Sequence, residues 1–177
     1  AQRKMLSHYD NATLYNDSIV AQIVKRFQKQ NAIIIYVPDH GEECYEENRG
    51  FICRNHSANI DWPLAHYEFE IPFWIYCSPK YIKANRKIYK QIRAAKDKRF
   101  MTDALPHLLL YLAGIETPTY KEEYNILSPK YNEMRPRILK NSADYDQLRD
   151  EHLKKVEKEK RKKEKRKKEK SKKGDKK

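Results

Sequence analysis

Five consecutive apolar residues, Ile33, Ile34, Ile35, Tyr36 and Val37, run into Pro38 and then directly into Asp39, His40, Gly41 and Glu42. A β-branched run of this length, closed by proline, predicts a strand buried on both faces of a parallel sheet. Pro38 ends it, because proline donates no hydrogen to a ladder. An acid and an imidazole therefore arrive side by side at the carboxyl end of a strand. That edge is where open α/β sheets bind ligands. The pair suits zinc or a similar divalent cation. The same residues also read as a polar strand-to-loop turn, with Asp39 capping neighbouring amides.

The flanking segments supply the rest of an α/β unit. Residues 9–30 carry Leu14, Ile19, Val20, Ile23, Val24 and Phe27 near a 3.6-residue period and predict an amphipathic helix. Asp10 or Asn11 is the expected N-cap, and Lys25, Arg26 and Lys29 suit the negative end of the helix dipole. A helix, a short Gln-Asn turn and a strand form one α/β step. Residues 70–78, EIPFWIYCS, predict a second apolar strand closed by Pro79. Residues 80–98 are basic, with a thin apolar stripe of Ile82, Ile88, Ile92 and Ala95. A further helix is expected near residues 103–114, capped by Asp103 and ended by Gly114, with Leu108, Leu109, Leu112 and Ala113 facing the core. His107 reads as a satisfied histidine of that helix. Residues 135–139 suit an edge strand.

Cys44 and Cys53 flank the loop after the Asp-His-Gly-Glu segment. They could close a small hairpin disulfide or stay two thiols, since spacing does not fix geometry. Cys77 sits in an apolar strand and reads as core. His56 trails the Asp39–His40 pair. A loop histidine there is either solvated, or folds back to reach a metal or a phosphate oxygen. Arg54, two residues earlier, either stays exposed or neutralises an anionic substrate.

Charge divides the chain in two. Of the net +13, residues 149–177 hold 17 basic and 7 acidic groups, leaving +3 for residues 1–148. The body, 1–148, is an almost neutral globular sequence, and 149–177 form a basic low-complexity tail. The tail has no apolar face to offset ordering entropy, so disorder is the default, with helix through Glu–Lys pairs as the alternative. Solvation or contact with an anionic surface are its two readings. The body has no nucleic-acid motif or basic-aromatic face, so nucleic acid is not the expected partner. No run of eighteen apolar residues occurs, so nothing in the sequence predicts a membrane-spanning helix.

YDNATLYNDSIV, then IIIYVPDHGEE, then Arg54-x-His56, then EIPFWIYCS, FMTDALPHLLLYLAGIET and RPRILKNSADYD follow one another in a single order. This series resembles the C-terminal half of the phosphoethanolamine transferases. These are inner-membrane enzymes of Gram-negative bacteria with an alkaline-phosphatase/sulfatase-like catalytic domain in the periplasm. The likeness covers roughly residues 9–146. It implies an α/β fold, the C-terminal portion of a sulfatase-like sandwich with a mostly parallel sheet flanked by helices. It also implies Asp39 and His40 as zinc ligands, and His56, with Arg54 nearby, at the substrate phosphate or a second metal. The reaction it implies moves phosphoethanolamine from phosphatidylethanolamine to a lipopolysaccharide acceptor through a metal-activated threonine. Thr13 and Thr102 do not match that nucleophile. The nucleophile, the first acidic ligand and the membrane helices are expected upstream of residue 9. On this reading the chain alone has no transferase activity, binds zinc weakly, and exposes strand edges that lower its solubility. A hydrolase of the same superfamily and a non-enzymatic basic binding protein are the alternatives.

Overall fold

In the computed structural model, residues 1–50, 52–54 and 59–174 are described. Their order is α1 (Gln2–Phe27), β1 (Ile33–Tyr36), β2 (Glu43–Cys44), β3 (Ile52–Cys53), α2 (Trp62–Phe69), β4 (Trp74–Cys77), α3 (Pro79–Ala84), α4 (Arg86–Ala95), α5 (Leu105–Ala113), β5 (Ile138–Leu139), β6 (Ala143–Asp144) and α6 (Tyr145–Gly174). Helices and short sheets alternate, as the α/β class requires.

The isoleucine run is the expected strand, but its neighbour runs the other way. β1 pairs antiparallel with β4, from Ile33 opposite Cys77 to Tyr36 opposite Trp74. The Tyr36 and Trp74 rings stack at 5.1 Å between centroids. Among the described residues all three strand pairings are antiparallel. β1 is half-buried along its length rather than covered on both faces. An apolar run reports burial but not strand polarity, so the sequence could not distinguish these arrangements.

Ser78 fastens this pair to the helices beside it. It is fully buried, and its hydroxyl donates to the Gln30 carbonyl at 2.6 Å. The same oxygen accepts from the amides of Ala32 and Tyr81, each at 3.1 Å. One donor and two lone pairs are thereby all used. The serine caps α3 while holding the α1–β1 turn against the end of β4.

Several helix ends differ from expectation. α1 starts at Gln2, so Asp10 and Asn11 lie inside it rather than at its cap. No proline or glycine interrupts residues 2–8, so nothing stops the helix from extending. Asp103 does not cap α5. Its carboxylate instead receives both Arg135 terminal nitrogens, at 2.5 and 2.6 Å. Gly114 ends α5 in the left-handed region, φ 67°, as expected. Leu108 is fully buried while Leu109 is 45% exposed, so only part of the expected stripe faces inward. α2 was not anticipated from the sequence, although Asp61 caps it, accepting from the Leu64 amide at 3.0 Å. The core gathers Ala95, Leu108, Ile126 and Leu127, with Phe73, Ile75, Ile88 and Ile92 against them.

The tail is helical rather than disordered. α6 begins at Tyr145, ahead of the expected boundary at 149, and runs to Gly174. Cys44 is a free thiol. Glu43 lies opposite Cys53 and Cys44 opposite Ile52 in the β2–β3 ladder. With Cys44 free, the hairpin disulfide is not formed. Burial, with the nearby Glu46 and Glu42 charges, pushes the Cys44 thiol up to about 11.

Ser78→Ala leaves three backbone partners, at Gln30, Ala32 and Tyr81, without their hydroxyl. It should lower unfolding free energy by about 1–3 kcal/mol in a urea melt. An unchanged midpoint would contradict the fastening role.

Candidate active-site cleft

Pro38 delivers the chain from β1 into a sharp bend, and Gly41 holds that bend against α2. The Gly41 amide donates to the Glu68 carbonyl at 2.9 Å. A Cβ built on Gly41 would stand 2.2 Å from the Tyr67 carbonyl oxygen. Only glycine permits this approach, so the two residues before it have a fixed exit direction.

Asp39 and His40 use that direction together. Their side chains converge, with His40 Nε2 3.5 Å from Asp39 Oδ2. Asp39 is 88% exposed at its side chain and His40 26%. His40 Nδ1 lies 2.8 Å from the Gly41 carbonyl oxygen. A carbonyl only accepts, so Nδ1 donates to it, and Nε2 is left facing the Asp39 carboxylate. Carbonyl support of one ring nitrogen is the usual backing for an imidazole that ligates through the other. Two donors suited to zinc therefore stand adjacent and available. Among the described residues, no three His, Cys, Asp or Glu side chains gather into a metal-binding group. The fit is to half of a tetrahedral set.

The pair opens onto a cleft of about 580 Å³. Arg54 lines the same cleft. His56, the fourth candidate, lies outside the described residues. The opposite wall was not assigned from the sequence. It brings Lys96, Lys98, Arg99, Arg137, Lys140 and Tyr145 to the same cavity. Arg137 of the RPR segment was legible as a residue but not as part of a wall, because its partner lies in α6.

That partner is Asp146. Arg137 Nη2 donates to its Oδ1 at 2.5 Å and Nε to Oδ2 at 3.2 Å. Arg99 joins through Nη2, and Arg149 approaches at 3.3 Å. One carboxylate thus organises three guanidinium groups, and two of those groups line the cleft. The Arg137 hydrogen bonds hold the Asp146 carboxyl below the usual carboxylate range, against the opposing effect of burial. Arg99 Nε is buried without a hydrogen-bond partner among the described residues. A wall of cations suits a phosphate or sulfate ester. Tyr145 donates to Glu70 at 2.5 Å, and burial together with that carboxylate pushes its phenol up to about 12.

Behind the site, Glu43 is fully buried. It accepts from Arg49 Nε at 3.0 Å, and Arg49 reaches Asp61 at 2.8 Å. Burial pushes the Glu43 carboxyl up, although Arg49 pulls it down. This bridge ties the segment after Gly41 to the cap of α2.

Residues 1–115 match the sulfatase family model. The chain is 31% identical over 147 residues to phosphoethanolamine transferase EptC of Escherichia coli (strain K12), covering 79% of this chain and 24% of that protein. It is 28% identical over 99 residues to the Kdo(2)-lipid A phosphoethanolamine 7''-transferase of the same organism, covering 54% and 16%. Among solved structures it is similar to the C-terminal periplasmic domain of EptC from Escherichia coli. The TM-score is 0.64 with 30% identity, over 79% of this chain and 40% of that one. The zinc complex of that domain matches with the same TM-score, over 39% of that chain. The chain spans a quarter or less of the length of the curated relatives named here, 24% and 16%.

Two variants check this geometry. Gly41→Ala should cost about 1–3 kcal/mol of stability, because the methyl meets backbone that cannot rotate away. A melt identical to the parent's would refute the close approach. Asp146→Asn should cost about 1.5–3 kcal/mol at neutral pH. The folded-state pKa of Asp146 lies below its unfolded value, so its contribution is present above the unfolded pKa, near 3.9. It fades as pH falls through the lower folded pKa. Urea melts from neutral to acid pH should show the two proteins converging only below about pH 4. A difference independent of pH would overturn the assignment.

Proposed function

We propose that this chain, which belongs to the sulfatase family, forms the C-terminal part of the catalytic domain of a phosphoethanolamine transferase. The enzyme would take phosphoethanolamine from phosphatidylethanolamine and pass it to lipopolysaccharide, on lipid A or a core sugar. Its catalytic domain would face the periplasm from the inner membrane, held by membrane helices outside this chain. Among the described residues no helix is long and apolar enough to cross a membrane. The likeness to the transferases favours this reading over hydrolysis.

The observation that carries the proposal is the convergence of Asp39 and His40 at the mouth of a cation-walled cleft. Asp39 and His40 Nε2 would hold zinc, with Gly41 fixing the imidazole through its carbonyl. When bound, zinc supplies a Lewis acid for the phosphoryl oxygens and lowers the pKa of an attacking hydroxyl. Arg54, Arg99 and Arg137 would neutralise and orient the phosphodiester between its two lipid carriers. His56 would donate to a phosphate oxygen or complete a second metal position. The attacking threonine would come from outside the chain.

With two ligands of a four-ligand set, the isolated chain should bind zinc weakly and transfer nothing. Calorimetric titration should show no stoichiometric saturation at micromolar protein, and Asp39→Asn or His40→Gln should remove the residual heat. Mixing chain, phosphatidylethanolamine and lipopolysaccharide should yield no modified acceptor. Tight stoichiometric zinc binding by the parent, or residual binding indifferent to both substitutions, would contradict the assignment.

A further inference from the structure

The basic tail contributes nothing to the cleft chemistry described above, yet it is not a random coil of charge. Between Lys154 and Arg166, helical spacing of 100° per residue separates its charges by face. Lys154, Lys158, Arg161 and Lys165 form one stripe at i, i+4, i+7 and i+11, and Lys155, Lys162 and Arg166 flank it. Between Lys154 and Arg166 no acidic residue falls within that arc; Glu151, three residues before Lys154, does, and Lys160 and Lys163 lie on the other side of the helix. Asp150, Glu157 and Glu164 repeat every seven residues along one edge of the arc, and Glu159 lies just past the other edge, beside Arg166. Glu157 pairs there with Arg161 at 2.5 Å. The side chains of residues 154–166 are exposed throughout. Seven cations thus lie along about 18 Å of helix.

The helix that carries this face is fastened to the site. Tyr145, its first residue, lines the cleft, and Asp146 binds two cleft arginines. Trp62 of α2 lies against His152 at 5.1 Å and Tyr145 at 5.8 Å. The far end of α2 receives Gly41, and Gly41 directs Asp39 and His40. These contacts link the helix bearing the charged face to the bend that carries Asp39 and His40.

We infer that α6 is a docking strut whose cationic face lies on an anionic lipid surface and sets the orientation of the cleft relative to it. A dense array of lysines and arginines is attracted to a negatively charged leaflet, and each added cation near the surface strengthens binding. The face has no apolar residue to insert, so the contact is peripheral and salt-reversible. Residues 149–174 contain no Tyr, Trp or Phe, so the charged part of α6 offers no aromatic platform for nucleic-acid bases. The choice of lipid over duplex nucleic acid rests on the proposed function, whose donor and acceptor are both lipids.

Vesicle co-sedimentation of the whole chain tests this. Vesicles of phosphatidylcholine with phosphatidylglycerol should retain the chain, and phosphatidylcholine alone should not. Retention should disappear between about 0.1 and 0.5 M salt. A charge-swapped chain, with Glu157→Lys, Glu164→Lys, Lys158→Glu and Lys165→Glu, keeps its net charge but breaks the face. It should bind at least about tenfold more weakly while circular dichroism stays helical. A chain ending at Leu153, which keeps the Trp62–His152 contact, should not bind. Equal binding by the swapped chain, equal binding to neutral vesicles, or tighter binding to double-stranded DNA than to anionic vesicles at the same salt would overturn the proposal. The assay needs neither zinc nor lipopolysaccharide. Its failure would leave the Asp39–His40 reading intact, and failure of the zinc titration would leave vesicle binding untouched.

Discussion

The close approach of Gly41 to the end of α2 governs how this chain presents its chemistry. A strand tip is mobile in direction unless something grips it, and here the grip is backbone on backbone. The Gly41 amide bonds to the Glu68 carbonyl, and a side chain at position 41 would collide with the neighbouring carbonyl of Tyr67. Arg49 reinforces the grip by bridging buried Glu43 to the Asp61 cap of the same helix. The consequence for function is orientation. His40 has one ring nitrogen committed to a carbonyl and the other left for a ligand beside Asp39.

In the same cleft, two arginines of the positive wall share a single acid. Guanidinium groups in proximity repel, and Asp146 offsets that repulsion for Arg99, Arg137 and Arg149. Because Asp146 sits in the first turn of α6, the cation wall and the basic helix form one construction. The charge asymmetry obvious in the composition therefore continues into the site.

Much of this was legible in the residues. The isoleucine run closed by Pro38 specified β1 and the meeting of Asp39 with His40, and Gly114 specified the end of α5. Other features depended on distant partners. β1 could not reveal that β4 opposes it antiparallel, because polarity is set by the path of the intervening chain. Asp103 resembled an N-cap because capping needs only local residues, but Arg135 captures it from 32 positions away. The tail looked unable to fold for want of an apolar face, yet α6 grows from a nucleus supplied by Trp62, Tyr145 and His152. Helix formation is costly to start and cheap to extend, so one docked turn changes the outcome for the residues that follow.

The most direct examination of the metal assignment is a crystal of the enzyme bearing this segment, grown with zinc and measured across the zinc absorption edge. The account predicts an anomalous peak about 2.0–2.2 Å from both His40 Nε2 and an Asp39 carboxylate oxygen. A catalytic zinc peak that contacts neither side chain would contradict it.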